Sequence, residues 1–481
     1  MGVTREWSKM QRDVFDAATN TDRSIVVIAR AGSGKTTTLS EVANRLPRRG
    51  KMGIVAFANR SRERVSDAKP PEHFGISTLH SLGLSILRKQ NPWVVVDNRG
   101  EKLERILRSE VRTDLHEAVS SLVRRAKPRL AEDTKALTAL AATSADFEAI
   151  GTRVDEVVEA TQRVLFMSRE EDSVVDFDDM IWLPVTLEMH GGTYATLLVD
   201  ELQDLTRAQV RLVAMLIEGG GRAIGFGDPA QAIYQFAGAD VDAVAALEEM
   251  TSAARLPLSI SYRCPRSVIA LARRYVPDIE PHPSAPAGKV CYVSRESESG
   301  LRYVAERAKF DDLVLSRTNA PLLSVALEFA RRGAPAQIVG RRIDKEMLST
   351  IDRSGASSVP SFMSWLNAWS EQERARLKNE NLPDDRVVDR VASFAAVCRG
   401  TNSIQEVRGR ILQLFMPRPG ASIRLSTVHQ MKGEEAENVF VLRDTFRVRD
   451  DEPKPGAEET NLLYVAITRS KNTLHMVEGV T

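Results

Sequence analysis

Residues 26–37 read Val-Val-Ile-Ala-Arg-Ala-Gly-Ser-Gly-Lys-Thr-Thr, and this stretch decides the fold of the chain. The apolar residues 25–28 predict a strand, and the residues that follow Lys35 and Thr36 predict a helix. A Gly-rich turn between strand and helix is typical of a phosphate-binding loop, because backbone N–H groups close around phosphate oxygens there. A chance Gly-rich turn is the alternative. The expected phosphate contacts are Ala31, Gly32, Ser33, Gly34, Lys35, Thr36 and Thr37, with the Lys35 ammonium at the β- and γ-phosphates and the Thr36 hydroxyl on Mg²⁺.

A second segment supplies the acids that hydrolysis of a nucleotide needs. Residues 197–204 read Leu-Leu-Val-Asp-Glu-Leu-Gln-Asp, an apolar strand with carboxylates at its end. Asp200 suits a ligand of Mg²⁺, and Glu201 suits a general base that orients and deprotonates the attacking water. The alternative is an exposed strand end in which Asp204 caps the following helix. Together with the phosphate loop, the segment predicts an ATPase.

Composition sets broad limits. A chain of 481 residues is too long for one core, so two to four domains are expected. It has no apolar run of about 18 residues, which predicts no membrane contact, and its first residues do not resemble a signal peptide. Cys264, Cys291 and Cys398 are too widely spaced for a metal site or a disulfide framework, which favours the cytoplasm. The net charge of +1 neither indicates nor excludes nucleic-acid binding.

Strand and helix patterns alternate in two parts of the chain, each interrupted by a strand-poor helical segment. The sequence therefore predicts an α/β fold of two domains with parallel sheets, each carrying a helical insertion. A proline-rich stretch, residues 277–286, is interpreted as the linker. The expected divisions are 1–96, 97–183 (first insert) and 184–276, then 277–340, 341–420 (second insert) and 421–481.

Two further segments carry polar and aromatic side chains that can meet phosphates or bases. Residues 227–239 read Gly-Asp-Pro-Ala-Gln-Ala-Ile-Tyr-Gln-Phe-Ala-Gly-Ala. Gln231 can sense a γ-phosphate, while Tyr234 and Phe236 can either stack on bases or plug the core. In the second segment, Tyr262 can stack on adenine and Arg263 can neutralise charge on the γ-phosphate. Arg469 offers a second such arginine, although lone arginines are usually solvated or paired.

In this order, the segments resemble the superfamily-1 DNA helicases of the UvrD/Rep/PcrA type. The family's motifs match, along the chain, Gln11 within 7–11, then 29–36, 57–60, 77–81, 200–204, 227–239, 261–263, 427–435 and 462–469. The tract 231–239 resembles the branch that moves 3′ to 5′. Arg30 stands where Gly is usual, Ser261 stands for Asn, and Glu434 replaces an apolar residue.

The resemblance implies a motor of two RecA-like domains that hydrolyses ATP with Mg²⁺ between them and steps along single-stranded or partial-duplex DNA. The implied catalytic residues are Lys35, Glu201, Gln231, Arg263 and Arg469. Gln11, Tyr262 and Glu435 are implied as further nucleotide contacts. The implied DNA contacts are Phe57, Asn59, His80, Tyr234, Phe236, Thr427 and His429.

Three features stay open at this point. Arg30 can contact a phosphate, contact DNA or point to solvent. In the second insert, Phe362, Trp365 and Trp369 can form a small core or a duplex- or partner-binding face. The basic cluster 124–129 can be a solvated helix end or a phosphate contact.

Two classes of function also stay open. The first is a helicase that hydrolyses ATP, translocates 3′ to 5′ and separates strands. The second is a DNA-dependent ATPase that serves as a sensor or accessory motor in repair, phage replication or anti-phage defence, with a nuclease or a replication or repair factor as partner. A monomer or weak oligomer is expected. A P-loop enzyme that does not act on nucleic acid would require all the DNA motifs to be coincidental.

Overall fold

A computed structural model describes residues 6–56, 59–67, 70–142, 153–234, 242–296, 299–339, 343–379, 384–416, 422–448 and 457–480. The chain divides into two compact units, unit 1 (Met1–Ser259) and unit 2 (Ile260–Thr481). Each unit holds a six-stranded sheet in which every described ladder is parallel, with helices packed against it. The predicted fold class, two α/β domains with parallel sheets, is confirmed.

Unit 1 begins with a helix and then alternates strands and helices. Its strands are β1 (Ile25–Ala29), β2 (Met52–Val55), β3 (Phe74–Ser77), β4 (Val95–Val96), β5 (Val174–Val175), β6 (Thr196–Val199), β7 (Arg222–Gly227) and β8 (Ala254–Leu258). Its helices are α1 (Lys9–Asn20), α2 (Lys35–Arg45), α3 (Asn59–Asp67), α4 (Leu79–Gln90), α5 (Glu101–Glu110), α6 (His116–Arg129), α7 (Thr134–Ala141), α8 (Val154–Glu170), α9 (Asp179–Thr186), α10 (Arg207–Ile217) and α11 (Ala243–Thr251).

The unit 1 sheet has the order β3-β2-β6-β7-β1-β8. All five residues of β1 are buried, and they alternate between the two core clusters: Val26 and Ile28 face one cluster, Ile25, Val27 and Ala29 the other. This alternation is the period of two that a strand covered on both faces requires. Parallel β1, β6 and β7 therefore end at the same edge, and the segments that follow them are brought together there.

The first insert shares the core of unit 1, because one apolar cluster runs from the sheet into α5, α6 and α8. The fully buried Asp179 carboxylate holds this insert together. It accepts hydrogen bonds from Lys102 Nζ at 2.8 Å and Lys127 Nζ at 2.7 Å. Since Lys127 is buried and paired, it is neither a solvated helix end nor a phosphate contact. The expectation that residues 97–183 lack strands is wrong, because Val174–Val175 pairs with Val95–Val96.

Unit 2 repeats the alternating plan. Its strands are β9 (Ile260–Ser261), β10 (Glu280–Pro281), β11 (Lys289–Val293), β12 (Leu313–Ser316), β13 (Ala336–Ile338), β14 (Ile423–Thr427), β15 (Ala436–Leu442) and β16 (Ser470–Val477). Its helices are α12 (Arg266–Ala272), α13 (Gly300–Arg307), α14 (Ala320–Arg331), α15 (Ile343–Ser354), α16 (Val359–Asn379), α17 (Asp385–Cys398), α18 (Ile404–Phe415) and α19 (Glu458–Ile467).

The main sheet of unit 2 has the order β11-β16-β15-β12-β14-β13. One apolar cluster joins its strands to the second insert, which consists of α15 to α18. Phe362 is fully buried and packs edge-to-face on Phe394 at 4.9 Å, while Trp365 and Trp369 lie partly buried against the same cluster. These aromatics therefore belong to the core of unit 2 rather than to a separate core of the insert.

The boundary between the units differs from the expected one at residues 276 and 277. The proline-rich stretch lies inside unit 2, where Glu280 and Pro281 pair with β9 and the Pro286 carbonyl accepts from the Arg266 amide at 2.9 Å.

The sequence predicts two helices over residues 359–369 and 370–378. They form the single helix α16, since no breaker separates them. Among the described residues, no helix combines the length and apolar character that crossing a membrane requires.

Candidate functional site

The phosphate loop adopts the backbone that its glycines permit. It follows β1 and leads into α2, with Gly32 at φ 74° and Gly34 at φ 79°. A Cβ is strained in this left-handed region, so both glycines are needed for the turn. The Ser33 amide donates to the Arg30 carbonyl at 3.0 Å, which closes the loop. The buried Ser33 hydroxyl has no hydrogen-bond partner within the described chain, as expected for a polar group that awaits a phosphate oxygen.

Lys35, Glu201 and Asp200 form the charged centre of the site. The Lys35 ammonium lies 2.5 Å from a carboxylate oxygen of Glu201. Burial alone lowers the pKa of Lys35, but Glu201 and Asp200 outweigh it and raise the pKa overall. Burial and then the neighbouring Glu201 raise the pKa of Asp200 to about 6. A carboxylate crowded in this way gains from a cation, which fits the predicted role of Asp200 at Mg²⁺.

The described residues contain no group of three or more His, Cys, Asp or Glu side chains able to hold a metal ion by themselves. A single hydroxyl and a single carboxylate fit Mg²⁺, which is usually bound through one or two carboxylates together with phosphate oxygens and waters. Thr36 at the start of α2 and Asp200 after β6 are the residues that would hold it.

A hydrogen-bonded chain runs from Glu201 to the end of β7. Gln203 Nε2 donates to Glu201 Oε2 at 2.7 Å, and Gln203 Oε1 accepts from the Asp228 amide at 3.0 Å. The fully buried Asp228 carboxylate accepts from Gln231 Nε2 at 2.7 Å and from Arg30 Nη1 at 2.8 Å. The structure therefore brings the predicted site residues Lys35, Glu201 and Gln231 into one network.

Gln11 lies beside the phosphate loop. Its Nε2 donates to the Thr38 hydroxyl on α2 at 3.1 Å, and its Oε1 accepts from the Ser8 amide in a capping box at the start of α1. Thr38 is two residues beyond Thr36, so Gln11 is held next to the nucleotide-binding helix. Its role at adenine stays a prediction.

The nucleotide residues predicted in unit 2 form a second cluster. Arg263 forms an ion pair with Glu435, and Lys471 binds the same carboxylate at 2.6 Å. Burial raises the pKa of Glu435, but Arg263 and Lys471 outweigh this effect and lower the pKa overall, so the carboxylate stays ionised. Arg469 is 2% exposed, and its Nε donates to the Val465 carbonyl at 2.9 Å. Tyr262 is exposed and lies against His282 with ring centroids 4.8 Å apart.

Two of the predicted DNA contacts of unit 1, Phe57 and Phe236, lie outside the described residues. Asn59 is the first residue of α3. His80, in the first turn of α4, stacks on Phe177 with ring centroids 3.8 Å apart. Burial lowers the pKa of His80 to about 4, so its ring is neutral at physiological pH.

The predicted DNA contacts of unit 2, Thr427 and His429, lie where β14 ends. The neighbouring strand β12 ends at the same edge, and the Val428 amide donates to the Ser316 carbonyl at 3.1 Å. Burial, and then the nearby Arg317 guanidinium, lower the pKa of His429 to about 4. The imidazole is therefore a neutral hydrogen-bonding group beside basic side chains.

Sequence reasoning missed two residues that the structure places at these sites, Phe177 and Gln203. Phe177 is 60% exposed and lies in an Asp-Phe-Asp-Asp run, where an aromatic between acids was the available signal. Gln203 was quoted within a motif but given no role. Arg30, for which the sequence left three alternatives open, pairs through its side chain with Asp228.

The model of the UvrD/REP helicase N-terminal domain matches residues 10–251, half of the chain. The chain belongs to the UvrD/REP helicase family. The model of the UvrD-like helicase C-terminal domain matches residues 422–477. The first of these helicase matches spans the phosphate loop and the hydrogen-bonded chain, and the second spans Thr427, His429, Glu435 and Arg469.

Several relatives are called ATP-dependent DNA helicase PcrA. The protein of Bacillus subtilis is 24% identical over 365 residues, which cover 68% of this chain and 49% of the relative. Those of Staphylococcus epidermidis and Staphylococcus aureus are 24% and 25% identical, each over 71% of this chain and 53% of the relative. The chain thus spans about half the length of the curated relatives it matches.

Proposed function

We propose that this member of the UvrD/REP family is an ATP-dependent DNA helicase that moves 3′ to 5′ along single-stranded DNA. One observation carries the proposal: the hydrogen-bonded chain from Lys35 through Glu201, Gln203 and Asp228 to Gln231. It joins a phosphate loop to the segment 227–234, which ends in the predicted base-stacking Tyr234. A motor needs such a link, because hydrolysis at the nucleotide site must change the conformation of the strand-binding residues.

In the proposed reaction, water attacks the γ-phosphorus of ATP, and the bond to the bridging oxygen of ADP breaks. Glu201 takes the proton of the water, and Lys35 stays with the β- and γ-phosphates. Lys35 and Glu201 form an ion pair, so a phosphate bound at Lys35 exchanges with the Glu201 carboxylate there. That exchange frees the carboxylate for the water. Mg²⁺, held by Thr36 and Asp200, would neutralise charge on the phosphate oxygens.

Arg263 and Arg469 of unit 2 are proposed to stabilise the transition-state charge. The Nε of Arg469 donates to the Val465 carbonyl at 2.9 Å, so its Nη groups are the atoms that would meet phosphate. We propose that ATP is bound where unit 1 and unit 2 meet and that closing and opening there drive the step along the strand.

Single-stranded DNA is the proposed track. The exposed Phe177, stacked on His80, adds an aromatic surface to the predicted contacts of unit 1. Base stacking on aromatic side chains contributes roughly 1–3 kcal/mol per base and tolerates any sequence, as a translocating protein requires. The neutral His429, close to Arg317 and Lys432, suits hydrogen bonding to a strand whose phosphates meet the basic groups.

The second candidate function is a DNA-dependent ATPase that senses or moves on DNA as an accessory subunit and does not unwind alone. The compact second insert favours it, because its aromatics are used in the core of unit 2 rather than presented to a duplex. A nuclease or a repair or replication factor would then be the partner. The cytoplasm is the proposed location, and the three unpaired cysteines fit its reducing conditions.

Strand separation on matched partial duplexes, one with a 3′ tail and one with a 5′ tail, tests the proposal. Unwinding from the 3′ tail alone is expected, with ATPase stimulated by single strands. The Lys35→Ala variant should abolish both, because the cation at the β- and γ-phosphates is lost. Unwinding from neither tail, with ATPase still stimulated, would select the accessory motor. Unwinding from the 5′ tail alone would refute the polarity, and ATPase indifferent to DNA would refute both candidates.

A further inference from the structure

Arg30 is a charged residue in a loop whose other side chains are small. It follows β1, and its backbone amide donates to the Leu258 carbonyl at 2.9 Å. Its side chain reaches across the carboxyl edge of the sheet to Asp228, which follows the neighbouring strand β7. Register explains the meeting, because Ile28 pairs with Gly227 and both strands end at the same level.

The Arg30–Asp228 pair is largely withdrawn from water. The exposed fractions of the two side chains are 16% and 0%, and Arg30 Nη1 lies 2.8 Å from Asp228 Oδ1. A buried carboxylate is costly unless a cation and hydrogen bonds satisfy it. Asp228 also accepts from the Ala230 amide at 3.2 Å and from Gln231 Nε2 at 2.7 Å. The Arg30 charge therefore compensates the carboxylate that orients Gln231.

The same pair is joined to the hydrolytic centre by two independent routes. Through the backbone, the Ser33 amide is bonded to the Arg30 carbonyl, so a rearrangement at the phosphate-binding turn moves Arg30. Through side chains, the Asp228 amide is bonded to Gln203, which in turn binds Glu201. Arg30 thus joins the phosphate loop to the segment 227–234 directly through its side chain.

We propose that Arg30 is a positioning residue that couples the nucleotide site to the strand-binding segment through Asp228. This inference rests on the proposed function, since it assumes that segment 227–234 responds to DNA. Nucleotide at the loop favours one arrangement of Arg30 and Asp228, and a strand at Tyr234 favours the same arrangement. The two ligands therefore assist one another. Glycine at this position would leave the loop and the segment without this connection.

The test compares ATP hydrolysis by the full chain with and without oligo(dT), for the wild type and Arg30→Gln. Loss of the cation is expected to lower the stimulation by DNA, the ratio of the two kcat values, by about tenfold. The KM for ATP should change by less than about threefold, because Lys35 and the loop backbone remain. Unchanged stimulation would overturn the proposal. A large rise in KM with intact stimulation would also overturn it, since Arg30 would then be a phosphate ligand.

A matched control removes another arginine of unit 1 from an ion pair. Arg255 on β8 pairs with Glu248 on α11, away from the phosphate loop. Arg255→Gln should keep the stimulation of the wild type. An equal loss of stimulation in Arg255→Gln and Arg30→Gln would overturn the proposal, because the effect would not be specific to the Asp228 contact.

A double-mutant cycle tests the route. If Arg30 acts through Asp228, then Arg30→Gln combined with Asp228→Asn should lower stimulation no more than the more damaging single substitution. Effects that multiply would place the action of Arg30 elsewhere and overturn the proposal.

Should Arg30→Gln fail to fold by circular dichroism, Arg30→Lys takes its place. Lysine keeps the charge without the planar fork, so partial stimulation is expected. Stimulation by Arg30→Lys equal to that of the wild type would overturn the geometric role of the guanidinium.

The outcome is separable from the failure of the proposed function. A wild type whose ATPase does not respond to oligo(dT) refutes the proposed function before Arg30 is considered. A wild type that responds, beside an Arg30→Gln variant that responds equally, refutes only the role of Arg30.

Discussion

Glu201 holds a backbone conformation that few residues with a side chain adopt. Its φ of 52° lies in the left-handed region, which costs roughly 1–3 kcal/mol in a residue other than glycine. The turn Leu202–Asp204 that follows is buried and keeps the residue in place. Its carboxylate is thereby aimed at Lys35 and Gln203. The strained position beside Lys35 is one reason to propose Glu201 as the general base.

Replacing Glu201 by Gln keeps the shape and removes the base. Nucleotide should still bind, because Lys35 and the loop are intact, while turnover should fall by about 10²–10⁴-fold. Equilibrium binding of a fluorescent ATP analogue and steady-state hydrolysis measure the two effects separately. Lys35→Ala is the matched control and should weaken binding itself. Normal turnover in Glu201→Gln would show that another group activates the water.

For single residues, the sequence identifies candidate site residues from their motifs more readily than it predicts which side chains they contact. Lys35, Glu201 and Gln231 are recognisable because each follows a strand at a fixed place in a motif. The Arg30–Asp228 contact is not recognisable, because 198 positions separate the two residues and only the β1–β7 pairing brings them together. The alternatives left open for Arg30 did not include it.

Among the elements, α17 of the second insert provides the cap that α14 lacks. The Asn319 side chain makes no capping bond to α14. Instead, the Asp389 carboxylate accepts from the amides of Asn319 at 3.0 Å and Ala320 at 2.8 Å, and from Asn319 Nδ2 at 3.1 Å. The insert thereby fixes the loop after β12, which lies beside the end of β14 and His429.

Asp389→Ala should lower the free energy of unfolding by about 1–2 kcal/mol, since backbone donors at a helix start lose their acceptor. Hydrogen exchange of the first turn of α14 should accelerate most. Urea unfolding and amide exchange measured by mass spectrometry check both effects. Asp389→Asn retains one acceptor oxygen and should lose less. A variant with unchanged stability and exchange would mean that the cap contributes nothing.

Prediction of elements succeeds where a pattern is long or strongly β-branched and fails where context decides. Residues 289–293, 404–415 and 423–427 have the predicted bounds. Strand β8 was missed because Ala-Arg-Leu-Pro-Leu contains a proline and its burial pattern is mostly exposed, as only an edge strand allows. The two helices predicted over 359–378 are one, because neither Gly nor Pro interrupts residues 361–378.

For the whole molecule, one partly buried imidazole of unit 2 makes stability depend on pH. His475 stacks on Phe440 at 4.2 Å and shares a hydrogen bond of 2.9 Å with the Tyr303 hydroxyl. Burial, and then nearby cations, lower its pKa from 6.5 to about 4. The unfolded chain therefore binds this proton at a higher pH than the folded chain does. The stability contributed by the neutral ring is present above pH 6.5 and is lost as the pH falls toward 4.

His475→Phe keeps the stacking and removes the titrating group. As the pH falls from 6.5 to 4, the free energy of unfolding should decrease less steeply than in the wild type. The difference in slope should correspond to the uptake of up to about one proton on unfolding. Urea unfolding at several pH values measures the slope. Tyr303→Phe removes the same hydrogen bond but leaves the imidazole, so it should retain a steeper slope than His475→Phe. Identical slopes in the wild type and His475→Phe would contradict the assignment.

The position of β16 has a consequence for synthesis of the chain on the ribosome. β16 lies between β11 and β15 in the sheet. β11, which begins at Lys289, therefore has no strand to pair with until β16 has been synthesised. Unit 1 needs nothing beyond Leu258 for its sheet and can finish while unit 2 is still emerging. A nascent chain stopped before Ser470 would therefore carry a formed phosphate loop beside an unpaired β11 edge. Such an intermediate would expose a strand edge prone to aggregation.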